Sequence, residues 1–364
     1  MQTISLCMIV RDEEAVLGRC LDSVADCVDE IIVVDTGSVD GTREVAARYT
    51  RQIYDFVWVD DFAAARNAAF GYATMDYCMW MDADDILLDD DRQAFRQLKE
   101  QLDGSADVVM LPYQTLDGEG HVVLSYNRER LLRREAGFCW QGRVHEAIVP
   151  AGNILYGQAA ITHCPVGKKD SGRNLRIYRA MLAQGMALGP REQYYYGREL
   201  YDHGLYGDAA QAFSTYLERS DGWAVDQVGA CRLLAGCYEK AGQTVERLGV
   251  LLQALRYAVP DAGLCCDLGR CFLDAQQYRQ AIWWYEQALR AVPDPYSGAF
   301  LQQDEYGYIP ALQLCVCYDR LGQTEKAQQY NEQAAQYHPQ SSAVAYNRQY
   351  FQQQKAGWDG TGQQ

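Results

Sequence analysis

The hydrophobic pattern of this 364-residue chain changes at about residue 190. Before that point, short β-branched apolar runs such as 4–10 and 31–34 alternate with helical patterns. Such runs are typical of strands buried on both faces of a parallel sheet. After it, strand signals vanish and paired helical patterns recur, which indicates a helical repeat. The sequence therefore predicts an α/β domain followed by an all-α domain.

The α/β part opens with a strand–helix–strand unit, whose helix is predicted to begin at Glu13 with Asp12 as its amino-terminal cap. The remaining elements are three strands and one helix, predicted at 53–59, 77–81, 108–112 and, with Asp61 as cap, 62–73. No Gly-x-Gly-x-x-Gly segment follows the first strand, and the chain has no Gly-Lys-Ser or Gly-Lys-Thr phosphate loop. Dinucleotide oxidoreduction and P-loop chemistry therefore lose their main support.

The composition is that of a globular protein, with 48% apolar and 23% charged residues. No apolar stretch is long enough to span a membrane, and the amino terminus lacks the layout of a signal peptide. Thirteen cysteines form no Cys-x-x-Cys pair. Without an export signal a disulfide framework is not expected, so we predict a reduced, cytoplasmic protein.

The net charge of −16 is unevenly distributed. Residues 1–150 hold 28 acids against 14 Lys and Arg, whereas residues 151–364 hold 21 against 19. This acidic balance argues against a nucleic-acid partner. Between residues 128 and 179, however, ten Lys or Arg accompany four acids. This local excess of cations can hold phosphate oxygens, or it can be an ordinary solvated basic face.

Three carboxylates follow directly behind the predicted strand at 77–81, in the run Met81-Asp82-Ala83-Asp84-Asp85. Close carboxylates repel one another unless a cation lies among them, and oxygen-rich sites suit magnesium or manganese. In open α/β sheets ligands bind beyond the carboxyl ends of strands, where Asp35 is also expected. The alternative is a solvated acidic turn that opens the next helix, because three more aspartates follow at 89–91.

Over residues 3 to about 175 the chain resembles the inverting family 2 glycosyltransferases of the GT-A fold. The matching segments, in order, are Met-Ile-Val-Arg-Asp-Glu-Glu at 8–14, Asp-Thr-Gly-Ser-Val-Asp-Gly-Thr at 35–42, Asp-Phe-Ala-Ala-Ala-Arg-Asn at 61–67, Met-Asp-Ala-Asp-Asp at 81–85 and Gly-Arg-Val-His-Glu at 142–146. In relatives the first segment usually reads Lys-Asn-Glu-Glu, so Arg11 and Asp12 are departures. The resemblance implies an α/β GT-A domain that uses a nucleotide-sugar donor, which we expect to be a UDP-sugar.

The resemblance implies donor contacts by ten residues, which are Val10, Arg11, Glu13, Asp35, Arg66, Asp82, Ala83, Asp84, Lys169 and Arg173. Asp82 and Asp84 match the family's DxD pair. Because strand residues two apart share a face, one carboxylate can bind the metal while the other holds the ribose or a bound water. Asp85 can substitute for either.

Two of these donor contacts have structural alternatives. Asp35 can instead cap its own turn at Thr36, and Arg66 can instead anchor the helix on which it lies. Lys169 and Arg173 belong to a basic loop at 168–174, which in relatives closes over the donor and offsets charge on the leaving diphosphate.

Glu146 is the predicted catalytic base, with His145 beside it. In an inverting displacement the acceptor must lose a proton as it attacks the anomeric carbon, and a carboxylate near the sugar can take that proton. Many relatives carry Glu-Asp where this chain has His-Glu. Two alternatives therefore stay open: Glu146 orients His145, or an acid further along the chain is the base.

The expected cofactor is Mn²⁺ or Mg²⁺, bound by Asp84, His163 and Asp82. His163 follows a predicted strand and resembles the histidine that completes the metal site in several GT-A enzymes. Imidazole suits manganese better than magnesium. The alternative for His163 is a hydrogen-bonded core residue. Trp140 can stack on a sugar or, as the safer interpretation, be buried.

The carboxyl-terminal half resembles tetratricopeptide repeats, most clearly from Leu268 to Pro293. Pro260 and Pro293 are separated by 33 residues, close to the period of about 34. The next interval, to Pro339, is 46 residues, which predicts an insertion near 294–305. The predicted domains are a catalytic domain at 1–175, a linker helix at 176–190, repeats at 191–340 and a capping helix with a tail at 341–364, disordered from 357.

Family 2 transferase followed by tetratricopeptide repeats is similar to the domain order of bacterial enzymes that glycosylate bacteriocin peptides on cysteine or serine. The sequence therefore predicts a metal-dependent inverting glycosyltransferase that acts on a peptide or protein held by the repeats, with a homodimer as one possible assembly. The alternatives are a transferase that builds a cell-surface glycan and a repeat scaffold with a degenerate catalytic half.

Overall fold

In the computed structural model the chain forms two compact units, Met1–Glu192 and Gln193–Gln364. The structure describes residues 2–166 and 172–359, the last five of them by their backbone alone. Lys169 and most of the predicted basic loop therefore lie outside the described residues.

The first unit is an α/β domain, as predicted. Its strands are β1 (Ile4–Val10), β2 (Glu30–Asp35), β3 (Ile53–Asp55), β4 (Tyr77–Trp80), β5 (Asp85–Ile86), β6 (Val108–Leu116), β7 (Val122–Arg133), β8 (Ile154–Tyr156) and β9 (Ile161–His163). Its helices are α1 (Leu17–Val24), α2 (Thr42–Ala46), α3 (Phe62–Gly71), α4 (Asp89–Gln101) and α5 (Arg173–Ala183).

The sheet is parallel at one end and mixed at the other. Its order is β3-β2-β1-β4-β7-β6-β9-β5, and β8 pairs with β6. Strands β1 to β4 are parallel, whereas β7 runs antiparallel to β4 and β6. The carboxyl ends of β1, β2 and β4 therefore open onto one edge, where an α/β sheet usually binds its ligand.

The core follows from the nearly continuous apolar sequence of β1. Ile4, Leu6 and Met8 pack in one cluster with the buried stripe of α1, which includes Leu17 and Leu21. Residues between them, such as Cys7, face the opposite side and pack in the cluster that contains Ala69 of α3. Because successive strand residues point to opposite faces, burial of both sets requires helices on both sides of the sheet.

Of the two helix caps predicted in this unit, one is confirmed and the other was wrong. Helix α3 begins at Phe62 with the Asp61 carboxylate accepting the Ala64 N–H at 2.9 Å, which confirms the predicted cap. The prediction that Asp12 caps a helix from Glu13 was wrong, because α1 begins at Leu17. Asp12 has a left-handed backbone (φ 54°), and its carboxylate accepts the N–H of Val39 instead.

The second unit is an all-α array. Its helices are α6 (Pro190–Asp202), α7 (Tyr206–Leu217), α8 (Ala224–Lys240), α9 (Thr244–Gln253), α10 (Ala262–Asp274), α11 (Tyr278–Arg290), α12 (Tyr308–Arg320), α13 (Thr324–Tyr337) and α14 (Ser342–Asp359), with a short extended segment, β10 (Leu301–Gln302), between α11 and α12. The helices from α6 to α13 form four antiparallel pairs of the tetratricopeptide type. The long connection from α11 to α12 contains the insertion predicted near 294–305.

Each pair is joined by the same turn. Gly204, Gly242, Gln276 and Gly322 have left-handed backbones with φ between 57° and 73°. The residue after each of them donates its N–H to a carbonyl five residues earlier, as Gln323 does to Tyr318 at 2.9 Å. This is the Schellman arrangement that satisfies the last carbonyls of a helix.

Two predicted boundaries differ from the structure. The units divide between Glu192 and Gln193, and α5 belongs to the first unit rather than to a linker at 176–190, because the Tyr178 hydroxyl donates to the Val144 carbonyl at 3.4 Å. Helix α14 continues to Asp359, so it includes residues 357–359 of the predicted tail. Residues 360–364 lie outside the described part of the chain.

Among the described residues, no helix combines the length and apolar character that crossing a membrane requires. All thirteen cysteines are free thiols, most of them buried.

Candidate active site

The three carboxylates behind β4 lie in different environments. Asp84 is 1% exposed and Asp85 is fully buried, whereas the Asp82 side chain is 37% exposed. Burial of two of the three rules out a solvated acidic turn as the description of this run. Acidic residues that do open a helix are found next, at the start of α4.

A pairing of two short strands brings His163 to this run. Asp85 of β5 lies opposite His163 of β9 in an antiparallel register. As a result, the His163 Nδ1 atom lies 3.7 Å from Asp84 Oδ1 and 3.4 Å from Asp85 Oδ1. Residues 78 positions apart in the sequence thus meet at one end of the sheet.

Asp84, Asp85 and His163 form a candidate metal centre. Among the described residues, they are the group of three whose ligand atoms all lie within 4.8 Å of one another. Two carboxylates and one imidazole form a donor set that fits Mn²⁺ well and Mg²⁺ less well. The residues present therefore fit the expected cofactor. The group contains Asp85 in place of Asp82, which was the predicted third ligand.

Asp85 also has a structural role that sequence analysis missed. Its Oδ1 accepts from the Tyr113 hydroxyl at 2.9 Å, and its Oδ2 lies 3.4 Å from both terminal nitrogens of Arg130, which is fully buried. Burial, together with the charge of Asp85, raises the pKa of Tyr113 above its ordinary range. Its hydroxyl therefore stays protonated and serves as a donor.

Asp82 and Glu146 form a second carboxylate group, which Arg66 links. Its Nη2 donates to Asp82 Oδ1 at 2.7 Å, and its Nε donates to Glu146 Oε1 at 2.6 Å. The guanidinium lies over the rings of Trp80 and Trp140, at 5.0 and 4.9 Å from their centroids. Burial opposes the charged form, but the two carboxylates outweigh it and raise the pKa of Arg66. Arg66 is thus a permanent cation between the DxD aspartate and the candidate base.

The loop that carries Glu146 is closed and held by α3. Gln141 and Ala147 exchange two backbone hydrogen bonds, of 2.9 and 3.0 Å. The Asn67 side chain accepts from the Trp140 N–H at 2.8 Å and donates to its carbonyl at 3.0 Å. Asn67 and Arg66 of the motif at 61–67 therefore fix the position of the Glu146 loop.

Within this loop, two residues have left-handed backbones, Gly142 (φ 91°) and His145 (φ 51°). The His145 ring stacks on Tyr178 with centroids 6.5 Å apart, and its carbonyl accepts from Arg191 Nε at 3.0 Å. A left-handed non-glycine residue is strained, and such strain collects at functional sites. Trp140 is buried, in an edge-to-face contact with Trp80.

Asp35 organises the turn that follows β2. Its Oδ1 accepts the N–H groups of Gly37 and Ser38 at 3.1 and 2.9 Å, and its Oδ2 accepts from Arg43 at 3.1 Å. Burial opposes ionisation, but these hydrogen bonds outweigh it and lower the pKa of Asp35. The structure thus shows the capping role that sequence analysis left open.

The other predicted donor residues lie around these groups. The Val10 carbonyl accepts the N–H of Thr36 at 2.9 Å, and the Glu13 N–H donates to Thr42 Oγ1 at 2.7 Å, so both join the loops after β1 and β2. The side chain of Arg11 is half-exposed. Ala83 is buried within the acidic run, and the Arg173 guanidinium lies 4.6 Å from the centre of the Phe62 ring.

The sheet covered by helices on both faces, the acidic run at its ligand edge and the loop that carries Glu146 form an α/β domain of the GT-A type. Residues 5–153 match the family described as Glycosyl transferase family 2. The family 2 match thus coincides with the α/β unit, and helix pairs of the tetratricopeptide type follow it.

Three curated relatives are similar over about 150 residues. A TPR repeat-containing protein of Synechococcus elongatus is 40% identical over 41% of this chain and 36% of its own length. The lipopolysaccharide core biosynthesis glycosyltransferase LpsC of Rhizobium meliloti is 32% identical over 42% of this chain and 58% of its own length. The SPbeta prophage-derived glycosyltransferase SunS of Bacillus subtilis is 31% identical over 40% of this chain and 34% of its own length. The chain thus matches between a third and three fifths of each relative's length.

Solved structures of helical proteins also resemble the chain distantly. YrrB, described as a TPR protein with an unusual peptide-binding site, is 16% identical with a TM-score of 0.38, covering 50% of this chain and 84% of its own. The MamA protein is 16% identical with a TM-score of 0.36, covering 46% and 82%.

Proposed function

We propose that the chain is a metal-dependent inverting glycosyltransferase that moves a sugar from a nucleotide-sugar donor, a UDP-sugar, to a peptide or protein acceptor. The carrying observation is that the buried Asp84 and the candidate base Glu146 belong to two carboxylate groups at the ligand edge of a family 2 domain. One group can hold the donor's diphosphate through a cation. The other can take the acceptor's proton.

The residues divide the chemistry between them. Asp84 and His163, with Asp85 beside them, would hold a divalent cation that neutralises charge on the leaving nucleoside diphosphate. Glu146 accepts the proton of the attacking acceptor group. Arg66 keeps Glu146 aimed and offsets its charge, because one guanidinium nitrogen is committed to that carboxylate.

A peptide acceptor is supported by the repeat unit. Stacked helix pairs produce a continuous surface made by several repeats, and peptide capture is a common use of such surfaces. The test is transfer: after incubation with donor and a candidate peptide, mass spectrometry should show the peptide heavier by one sugar. A donor panel read by nucleoside diphosphate release identifies the donor first.

Nucleoside diphosphate release, together with calorimetry, also tests the metal centre. Asp84→Ala should lose most nucleoside diphosphate release and most Mn²⁺-dependent UDP binding in calorimetry. Wild-type protein that binds neither UDP nor Mn²⁺ would instead support the repeat scaffold with a degenerate catalytic half.

A second candidate function is the building of a cell-surface glycan. The similarity to LpsC, named as a lipopolysaccharide core biosynthesis enzyme, favours it. Transfer to a saccharide or lipid acceptor, without transfer to peptides, would select this candidate over the first.

A further inference from the structure

The insertion between α11 and α12 folds back over the repeat unit. Residues 291–307 join these helices, whereas residues 254–261 suffice between α9 and α10. Inside the insertion, Leu301 of β10 is buried, and a 3-10 helix over Gln303–Tyr306 follows it. This part of the insertion is therefore packed against the protein rather than fully exposed to solvent.

The aromatic contact of the insertion is with α6. The Phe300 ring centre lies 5.1 Å from the Arg198 guanidinium, which also lies 5.3 Å from the ring centre of Tyr195. Close by in the sequence, Gly298 packs on Trp223, since a Cβ at this glycine would lie 2.7 Å from the indole. An arginine that contacts two aromatic rings is a cation–π site.

The acidic contact of the insertion is with α8 and α10. Glu305 Oε1 accepts from Arg232 Nη2 at 2.6 Å, and Arg232 Nε donates to Asp267 at 2.5 Å. Gly263 of α10 leaves the space, because a Cβ there would lie 2.4 Å from both Arg232 and Glu305. Burial raises the pKa of Glu305, with Arg232 opposing the shift. The Glu305 carboxylate is therefore shielded from water and paired with Arg232.

These contacts fall on the first helix of three successive pairs, α6, α8 and α10. In helical repeat arrays the equivalent helices line one continuous surface. The segment 298–305 thus crosses that surface with one aromatic and one acidic anchor, as a two-residue strand (Leu301–Gln302) that leads into a 3-10 helix (Gln303–Tyr306). It occupies the place that a bound peptide would take.

We propose that the surface formed by Tyr195, Arg198, Trp223 and Arg232 is a peptide-binding site that segment 298–305 covers in cis. Its external partner is an acceptor peptide with an aromatic residue followed, several residues later, by a carboxylate. The inference rests on the proposed function and names how the acceptor is recognised. The acceptor displaces the segment by using the same two anchors.

The segment is only partly buried, as displacement by a peptide requires. Its aromatic anchor stays 37% exposed, and residues 292–296, which precede it, are all exposed. A tethered segment competes at an effective concentration in the millimolar range. A free peptide with equal contacts therefore binds the wild-type protein roughly ten- to a hundredfold more weakly than a protein whose segment has been released.

The test uses a fluorescein-labelled synthetic peptide with the sequence of residues 294–307, Asp-Pro-Tyr-Ser-Gly-Ala-Phe-Leu-Gln-Gln-Asp-Glu-Tyr-Gly. It is titrated by anisotropy against the full-length wild type and the full-length Phe300→Ala, Glu305→Gln variant. We expect affinity for the double variant to be at least tenfold higher. A peptide carrying the same two substitutions is the matched control and should not bind.

Two further measurements keep the test decisive. Hydrogen exchange should accelerate at 298–305 in the double variant while α6 and α8 stay protected, which shows that the segment is released and the unit is folded. Adding Arg198→Met to the double variant should abolish peptide binding. Unchanged exchange at 298–305, or released protein that binds the labelled peptide no better than the wild type does, would overturn the proposal.

The peptide assay contains no donor and no transfer step. Its failure would leave nucleoside diphosphate release and sugar transfer intact and would refute only the acceptor site. Absence of donor turnover, with peptide binding as expected, would instead refute the proposed catalytic function.

Discussion

At the scale of single residues, Glu146 is the side chain on which the chemistry depends. Glu146→Gln keeps an oxygen that can accept from Arg66 but cannot take a proton. We expect transfer to fall by about 10²–10⁴-fold while UDP binding stays unchanged. Steady-state rates and calorimetry on the same preparation measure both quantities. Normal turnover in the variant would assign the base to another group, with His145 the first to examine.

Arg66 is expected to act on stability as well as on activity. Arg66→Met leaves Asp82 and Glu146 without their shared cation, and breaking the buried pair with Glu146 costs about 3–5 kcal/mol. Urea unfolding should show this loss in the free energy of unfolding. The control is Arg143→Met, because that arginine is partly exposed and 3.9 Å from Asp61, so its loss should cost about 1 kcal/mol or less. Equal effects of the two substitutions would contradict the assigned role of Arg66.

Most residues of the candidate site can be predicted from the sequence, but their grouping cannot. Spacing within a strand placed Asp82 and Asp84 together, whereas the structure directs Asp82 to Arg66 and brings Asp85 to His163. These partners come from distant strands, so no local pattern reveals them. The sequence also does not single out Arg130 as a buried partner of Asp85, because Arg128 and Glu129 precede it directly in β7.

At the scale of helices and strands, alternation and period predicted the α/β unit and the four helix pairs. The β6–β7 hairpin was not predicted as such, because its outer half, with Gln114 and Asn127, alternates polar and apolar residues only weakly and contains Pro112. Its pairing is set by backbone hydrogen bonds along both strands. Tertiary pairing of this kind overrides a weak local signal.

The interhelical turns give a prediction at this scale. Three of the four left-handed positions are glycine, but the third is Gln276 (φ 57°). A side chain in this conformation costs about 1 kcal/mol, so Gln276→Gly should stabilise the repeat unit by about that amount. The reverse change, Gly322→Gln, should destabilise it equally. Thermal unfolding measures both; a lower melting temperature for Gln276→Gly would show that its side chain makes a compensating contact.

At the scale of the whole molecule, the chain comprises two compact units of different class. Scanning calorimetry should therefore resolve two transitions. UDP with Mn²⁺, at about 100 times its Kd, should add roughly 2.7 kcal/mol to the catalytic unit alone and raise only its transition. Asp84→Ala should abolish that increase. A single transition that moves as a whole would show that the units unfold together.

The burial of Arg66 against two indole rings has a consequence for the solution conditions that the protein tolerates. Counter-ions in bulk solvent screen surface charges within about 10 Å at 0.1 M ionic strength, but they act weakly on pairs shielded from water. The link from Asp82 through Arg66 to Glu146 should therefore persist in 1 M KCl, and proton transfer with it. Turnover at saturating substrate should stay nearly constant across that range of salt, even where KM rises.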